Sequence, residues 1–320
     1  MTGGHAAPYD LQVLPLAPGV SFIDLRFPAP PIATGVYRDS SGVVLIDPGP
    51  SSCFETLQQE LQGRNISWRD VRAVLLTHIH LDHAGASGTL VQQNPAVQIY
   101  VHERGAPHVI DPTKLVKSAT RLWGPMMGKL WGDVLPVPAA NVNILRGGER
   151  IAIGGRQLEV AHTPGHASHH VSYFDRANGV AWVGDTAGIR IGRTRFVRPP
   201  TPPPDVDLEA WGHSVAHIRA WAPETLFITH FGPFKAVAEH LDEFEKTLDV
   251  MAGIARRSLE GGNSDDQQFA HFREEFERYI RSQVSEQDAA AYGRVEDITF
   301  SWQGLARYWR KRLAAQTSGA

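Results

Sequence analysis

Four metal-binding side chains, His78, His80, Asp82 and His83, fall within six consecutive positions of the stretch Thr77-His78-Ile79-His80-Leu81-Asp82-His83-Ala84-Gly85. Neutral imidazole nitrogen and carboxylate oxygen are the donors that zinc and its neighbours take. The stretch follows the apolar run Val71 to Leu76, so a strand delivers a loop of ligands and a helix then leaves it. Successive side chains of an extended segment point to opposite faces; His78 and His80 therefore share a side and can grip one cation. Asp82 and His83 come after the chain has begun to turn, which aims them at a second point. One loop could thus serve two metals. A solvated surface loop is the alternative, but imidazoles packed this closely would repel once protonated, so the metal reading is the stronger.

The elements that position this loop read as an α/β pattern. Residues from about Val13 to Asp47 give short strands, Val20 to Leu25, Thr34 to Arg38 and Val43 to Asp47, separated by turn material such as Asp39-Ser40-Ser41-Gly42. Asp47, followed by Pro48-Gly49-Pro50, is either a turn former or the hydrogen-bond partner of a ligand histidine. Ser51 and Ser52 are placed to cap a helix carrying Phe54, Leu57 and Leu61, and a strand at Val97 to Val101 follows the ligand loop. Strand candidates Arg150 to Ile153 and Gln157 to His162 lead into a second histidine cluster, Thr163-Pro164-Gly165-His166-Ala167-Ser168-His169-His170. A hairpin of Val171 to Phe174 and Val180 to Val183, turning across Asp175 to Gly179, ends in Gly184-Asp185-Thr186. Thr225 to Thr229 is a strand ending at His230, so four separate strand ends each present a ligand type.

Bulk properties bound the function. The chain of 320 residues is 42% hydrophobic and 20% charged, with net charge −3, so no global field recruits nucleic acid or acidic membranes. Cys53 is the single cysteine, which excludes an intrachain disulfide. Met1 to Leu16 shows no basic segment followed by an apolar one, and no apolar run approaches the roughly 20 residues of a membrane span. The expected setting is the cytoplasm and the expected partner a small-molecule substrate.

The set His78-Ile79-His80-Leu81-Asp82-His83, Thr163-Pro164-Gly165-His166, Gly184-Asp185 and Thr229-His230 resembles, in order and in local context, the metallo-β-lactamase-fold superfamily of hydrolases over about residues 13 to 240. The resemblance implies an α/β fold class: a four-layer αβ/βα sandwich of two mixed β-sheets flanked by helices, here with a helical C-terminal appendage. It implies two divalent metal ions at the edge between the sheets, zinc first, with iron or manganese as alternatives. By position His78, His80 and His166 would hold one ion, Asp82, His83 and His230 the other, and Asp185 would bridge both. Asp47 matches an acid of the early strand motif and becomes a hydrogen-bond support behind the ligands. His170 matches a histidine that follows the third motif in thioesterase-like and lactonase-like relatives and takes a supporting role; His169 stands where those relatives often have glycine.

That ligand set implies a dinuclear metal-dependent hydrolase using a metal-bridging hydroxide to cleave an ester, thioester or lactone, because a metal lowers the pKa of bound water to about 7. Asp82 would orient that water or shuttle its proton. Glyoxalase II is similar in its ligands, yet Thr186-Ala187-Gly188-Ile189-Arg190-Ile191-Gly192-Arg193 lacks its cysteine-containing signature. The catalytic tyrosine of acyl-homoserine lactonases has no matching position. The rival readings are a phosphodiesterase of the same superfamily, an iron-dependent persulfide dioxygenase-like enzyme, and a non-catalytic metal-binding protein.

Substrate choice is expected to lie outside the ligand motifs. The expected organisation is a catalytic domain, 1–240, with a helical insertion at about 104–140, and a C-terminal helical region, 241–320. In the insertion a helix starts at Asp111-Pro112 and the stripe Trp123, Met127, Leu130 and Trp131 continues at helical spacing, packing on the body or walling a pocket. The run Arg198-Pro199-Pro200-Thr201-Pro202-Pro203-Pro204 is a stiff spacer, or a rim from which Arg190, Arg193, Arg195 or Arg198 meets an anionic group. Asp207 starts a helix through Leu208, Trp211, Val215 and Ile218. Three more helices follow, broken at Gly261 to Asp266, and their basic end, Arg307 to Arg312, is read as a helix C-terminus. The insertion or these helices could serve a homodimer.

Overall fold

Two six-stranded mixed sheets face each other in the computed structural model, which describes residues 16–318 apart from 154, 261–263 and 296. In the first, β1 (Val20–Asp24), β2 (Ala33–Asp39) and β3 (Gly42–Ile46) form an antiparallel meander. Then β4 (Val71–Leu75), β5 (Gln98–His102) and β6 (Val142–Leu145) add in parallel, in spatial order β1 to β6. The second sheet holds β7 (Arg150–Ile153), β8 (Arg156–His162), β9 (Val171–Asp175), β10 (Val180–Trp182), β11 (Thr225–Ile228) and β12 (Gly232–Phe234), likewise in sequence order. Only β10 and β11 pair in parallel there.

Alternating side chains of both sheets fill the space between them, with Phe22, Tyr37, Leu75, Tyr173, Trp182 and Phe227 at its centre. The outer face of the first sheet is covered by α1 (Phe54–Gly63), α2 (Leu81–Ala84) and α3 (Ser87–Gln93), through Leu57, Leu61, Leu81 and Leu90. The insertion α4 (Ala106–Ile110), α5 (Thr113–Trp123) and α6 (Met127–Trp131) joins that cluster through Val109, Ala119 and Trp131. On the second sheet lie α7 (Leu208–Trp221) and α8 (Val237–Ser258), through Trp211, Val215 and Phe244. The result is the expected four-layer αβ/βα sandwich. Parallel strands need covering on both faces, which is why β4 reads as a near-continuous apolar run.

Beyond α8, α9 (Asp265–Gln283), α10 (Glu286–Val295) and α11 (Ile298–Ser318) enclose a further core around Phe272, Phe276, Tyr292, Trp302 and Leu305, shared with Met251 and Ile254 of α8. Ile189, Ile191 and Phe196, from the segment after Asp185, plug into that core. No helix among the described residues is long and apolar enough to cross a membrane.

Several sequence expectations need correction. Ser51 and Ser52 do not cap α1: their hydroxyls donate to the carbonyls of Trp131, Asp133 and Leu130, so they clamp the insertion instead. The insertion stripe is not one helix, because Gly124, at φ 48°, and Pro125 break it between α5 and α6. β6, β12 and α10 have no counterpart in the expected elements. The basic run Arg307 to Arg312 lies inside α11, not at its end; Arg310 pairs with Asp265 and Arg312 with Glu209. The residues upstream of Leu16, the region read for a leader, and the Gly261-Gly262-Asn263 break lie outside the described residues.

Candidate metal centre

The loop after β4 and the ends of β8, β10 and β11 converge on one edge of the sandwich. His78 Nε2 stands 3.0 Å from His80 Nδ1, which is 2.9 Å from His166 Nε2. His83 Nε2 lies 3.2 Å from His230 Nε2, and Asp82 Oδ2 is 3.3 Å from the same His230 nitrogen. Between the two groups sits Asp185: its Oδ2 is 3.4 Å from His166 Nε2, its Oδ1 3.3 Å from His83 Nε2 and 3.4 Å from His230 Nε2. Donors about 2.0–2.1 Å from a tetrahedral ion stand about 3.3 Å from one another, close to all of these spacings.

Hydrogen bonds behind the histidines turn their lone pairs inward. Nδ1 of His166 donates to the Pro200 carbonyl and Nδ1 of His230 to that of Pro31, both at 2.9 Å. Nδ1 of His83 donates to Asp47 Oδ2 at 2.8 Å. With Nδ1 engaged in each ring, the facing Nε2 atoms of His83 and His230, 3.2 Å apart, need a proton or a metal cation between them, since two bare lone pairs at that distance repel. Asp185 Oδ1, buried, accepts no hydrogen bond. The donor set thus fits divalent metal.

Electrostatics points the same way. Burial, with the imidazoles of His83, His80 and His166, pushes His78 well below the ordinary histidine range; burial and His166 bring His80 to about 4. Burial opposes ionisation of Asp82, but His83 and His230 hold it down at about 2. His83 is displaced upward: against burial, Asp185, Asp82 and Asp47 hold it well above its usual value. His230 is raised too, against burial, by Asp185 and Asp82, whereas burial lowers His166; the carboxylates thus favour positive charge among His83 and His230.

Residues 29–230 match the family description "Metallo-beta-lactamase superfamily". The chain belongs to the metallo-beta-lactamase superfamily. It is 30% identical over 166 residues to the hydroxyacylglutathione hydrolase GloC of Haemophilus influenzae, covering 51% of this chain and 70% of that one. It is 27% identical over 201 residues to a metallo-beta-lactamase fold-containing protein of Sulfurisphaera tokodaii, covering 58% and 75%. The crystal structure of a metallo-beta-lactamase family protein from Thermus thermophilus superposes with TM-score 0.71 at 20% identity, over 93% of this chain and 95% of that one, a likeness of fold.

In this metallo-beta-lactamase fold, Asp47 anchors the loop. It is buried, in the left-handed region at φ 49°, and accepts from Thr77 N at 2.8 Å, Thr77 Oγ1 at 2.7 Å, His83 at 2.8 Å and Thr229 Oγ1 at 2.8 Å. Of the two sequence readings of Asp47, the histidine partner is the one seen. A backbone strained by about 1–3 kcal/mol persists because so many bonds fix it. His170 stands behind the donors: it stacks on His78 at 5.0 Å, and its Nδ1 lies 3.0 Å from Thr163 Oγ1. Its Nε2 accepts from Asp185 N at 3.3 Å. Gly184, at φ 47°, lets this turn pass; a Cβ there would lie 2.5 Å from Thr77 Oγ1. Thr77 and Thr229 escaped the sequence reading, although the repeated Thr-His dipeptide at two strand ends signals them.

A cavity of about 480 Å³ opens over the donors, and Asp82, His80, His166, Asp185 and His230 reach its floor. Part of the insertion stripe walls it: Trp123 and Trp131 do, with Leu115, Ala119 and Leu122, while Met127 and Leu130 pack on the body. Pro200, Pro202, Pro203 and Pro204 form a rim, with Val295 and Phe300 from the C-terminal helices opposite. The arginines expected at that rim are elsewhere. Arg198 is buried and donates to the Tyr292 carbonyl at 2.6 Å and to Ser301 Oγ at 3.1 Å. Arg190 lies over the Phe234 ring, and Arg195 pairs with Glu239 on the surface. Basic groups do line the cavity, but they are Arg104 and Lys114, which no spacing in the sequence singles out.

Proposed function

We propose that this chain is a dinuclear metallohydrolase, with zinc as the metal, that cleaves an ester, thioester or lactone. The observation that carries the reading is Asp185, whose two oxygens address two separate donor groups beneath one mostly apolar cavity. His78, His80 and His166 are assigned to one ion, Asp82, His83 and His230 to the other, and Asp185 to both. Such a pair supplies Lewis acidity toward a carbonyl oxygen and acidifies water at neutral pH. Asp82 lines the cavity, and His83 and His230 hold its carboxyl down at about 2 against burial, which supports assigning it to accept a proton from attacking water and pass it toward the leaving group. Asp47, Pro200 and Pro31 hold the ligand histidines in the tautomer that presents Nε2. His170 fixes the Gly184-Asp185 turn.

The likeness to a hydroxyacylglutathione hydrolase supports a thioester among the substrates. Residues 1–240 are assigned to the catalytic domain, with 104–140 inserted over its mouth, and 241–320 to a helical region closing the other side. The test is metal analysis of protein purified without added metal, together with a panel of aryl esters, thioesters, lactones and phosphodiesters. Two metal ions per chain and turnover of a carboxylic substrate, abolished by Asp185→Asn and by His78→Ala, are expected. Turnover of phosphodiesters alone, oxygen consumption with a single iron, or full activity in either variant overturns the reading.

A further inference from the structure

His169 belongs to neither donor group, yet it lines the same cavity. Its ring lies parallel to His78 at 6.1 Å and edge-on to His80 at 5.7 Å. The preceding residue is tied down: Ser168 donates both its hydroxyl and its N–H to Asp205 Oδ2, at 2.6 and 3.2 Å. That holds the backbone at His169, and burial against His78 and His80 confines the ring.

His78, His83, His166 and His230 each have the nitrogen turned away from the donor cluster engaged by a neighbour. Nδ1 of His169, by contrast, is closed off and has no partner. The residue keeps 9% of its surface open, which leaves Nε2 as the ring nitrogen the cavity reaches. A buried N–H without an acceptor is a costlier orphan than a bare acceptor. By that argument Nδ1 keeps the lone pair, and Nε2 carries hydrogen toward the cavity.

What that N–H would meet follows from the rest of the wall. Leu115, Ala119, Leu122, Trp123 and Phe300 form an apolar slot on a wall that also carries Arg104, Lys114 and Asp205, and Trp123 and Phe300 touch edge to face at 5.2 Å where insertion and C-terminal helices meet. A slot of this size suits a drug-sized apolar body, with few polar groups to orient it. Building on the hydrolase reading, we propose that His169 is a specificity-determining residue, donating from Nε2 to an oxygen in the otherwise apolar acyl chain of an ester, thioester or lactone.

The test pairs two acids that differ by one acceptor: octanoic acid, and an alkoxy acid of equal length with an ether oxygen in place of one methylene. Binding to the metal-loaded protein is measured by calorimetry for wild type, His169→Ala and His169→Gln. The alkoxy acid should weaken about 3- to 10-fold on His169→Ala, the worth of one hydrogen bond, and recover on His169→Gln. Octanoic acid should bind all three alike, and metal content should not change. Equal loss for both acids, no loss for either, or loss of metal in His169→Ala overturns the assignment. The matching thioesters should show the same pattern in KM with kcat little changed. If the acids show the coupling while no ester, thioester or lactone is turned over, the hydrolase reading falls, and His169 stands only as an orienting donor for a bound acyl chain.

Discussion

Asp47→Asn isolates the part of the site that touches no substrate. Asparagine tolerates the left-handed backbone at this position, so the change removes charge and one acceptor rather than the loop. The four donors around Asp47 are divided: Thr77 N meets Oδ1, while Thr77 Oγ1, His83 Nδ1 and Thr229 Oγ1 meet Oδ2. An amide cannot serve both sides. With its NH2 toward Oδ2, the threonine hydroxyls can rotate, but His83 must give up its Nδ1 hydrogen and then carries it on Nε2, where a metal lone pair is needed. With the NH2 toward Oδ1, His83 is kept and Thr77 N–H faces another donor, at a cost of about 1–3 kcal/mol. Both arrangements also lose the negative charge that makes His83 a better ligand. Loss of such a partner lowers metal affinity by about 10- to 100-fold. The assay is competition for zinc against a chromophoric chelator, with a urea titration beside it. A variant whose affinity for both metal equivalents and whose unfolding midpoint match wild type would refute this account of Asp47.

Three further outcomes follow from the geometry. His240 is buried and donates Nε2–H to the Ala187 carbonyl at 2.8 Å; burial brings it down to about 4. Its folded value lies below the unfolded one, near 6.5, so its contribution is complete above about pH 6.5 and is lost as pH falls toward 4, by about 3 kcal/mol. Urea titrations from pH 7 to 4 should show a shallower acid loss in His240→Gln, and parallel curves would exclude the effect. Stripping metal with a chelator should lower unfolding free energy by about 3 kcal/mol at free metal near 100 times Kd, and superimposable unfolding curves of loaded and stripped protein would contradict a metal centre. Gly184→Ala places a Cβ 2.5 Å from Thr77 Oγ1 and 2.7 Å from His170 Nε2 at φ 47°, so a loss of about 1–3 kcal/mol with reduced metal content is expected in melts and metal analysis. Unchanged values in both would show that the turn yields.

The residues that the structure gathers at the sheet edge carry local signals in the sequence, and the family resemblance joins them into one set. His78 and His80 alternate along an extended segment, and His166, Asp185 and His230 each stand just after an apolar run that reads as a strand. The cavity-lining residues were not readable, because the cavity is assembled from segments distant in sequence: Arg104 and Leu115, the prolines after Arg198, and Phe300. Periodicity marks Trp123 and Trp131 as apolar but does not say that part of the stripe borders a cavity. β6 and β12 escaped for another reason: both are short edge strands, Val-Asn-Ile-Leu and Gly-Pro-Phe, and Pro233 is tolerated because its strand lies at the edge. Arg198 reads as a free cation beside Asp185; only the packing of α10 and α11 shows it spent on Tyr292 and Ser301.

The candidate donors come from both sheets, so a metal held among them would be a strut of the fold. His78, His80, Asp82 and His83 follow β4 of the first sheet, whereas His166, Asp185 and His230 follow β8, β10 and β11 of the second. Any ion shared among them fixes the spacing between the sheets to within the few tenths of an ångström that metal–ligand bonds allow. Direct hydrogen bonds set that spacing in advance. Thr229 Oγ1 crosses to Asp47, Ala33 N donates to the Thr229 carbonyl at 2.9 Å, Val171 N to that of Thr77 at 2.8 Å, and Tyr173 OH to that of Leu76 at 2.7 Å. These contacts lie beside the donors, so most of the ordering that a metal would otherwise impose is already supplied by folding. A preorganised donor set binds metal more tightly than one that must be gathered. Substitutions in these cross-sheet contacts should therefore cost metal affinity out of proportion to their cost in stability, while substitutions in the C-terminal core around Phe272 and Phe276 should do the reverse.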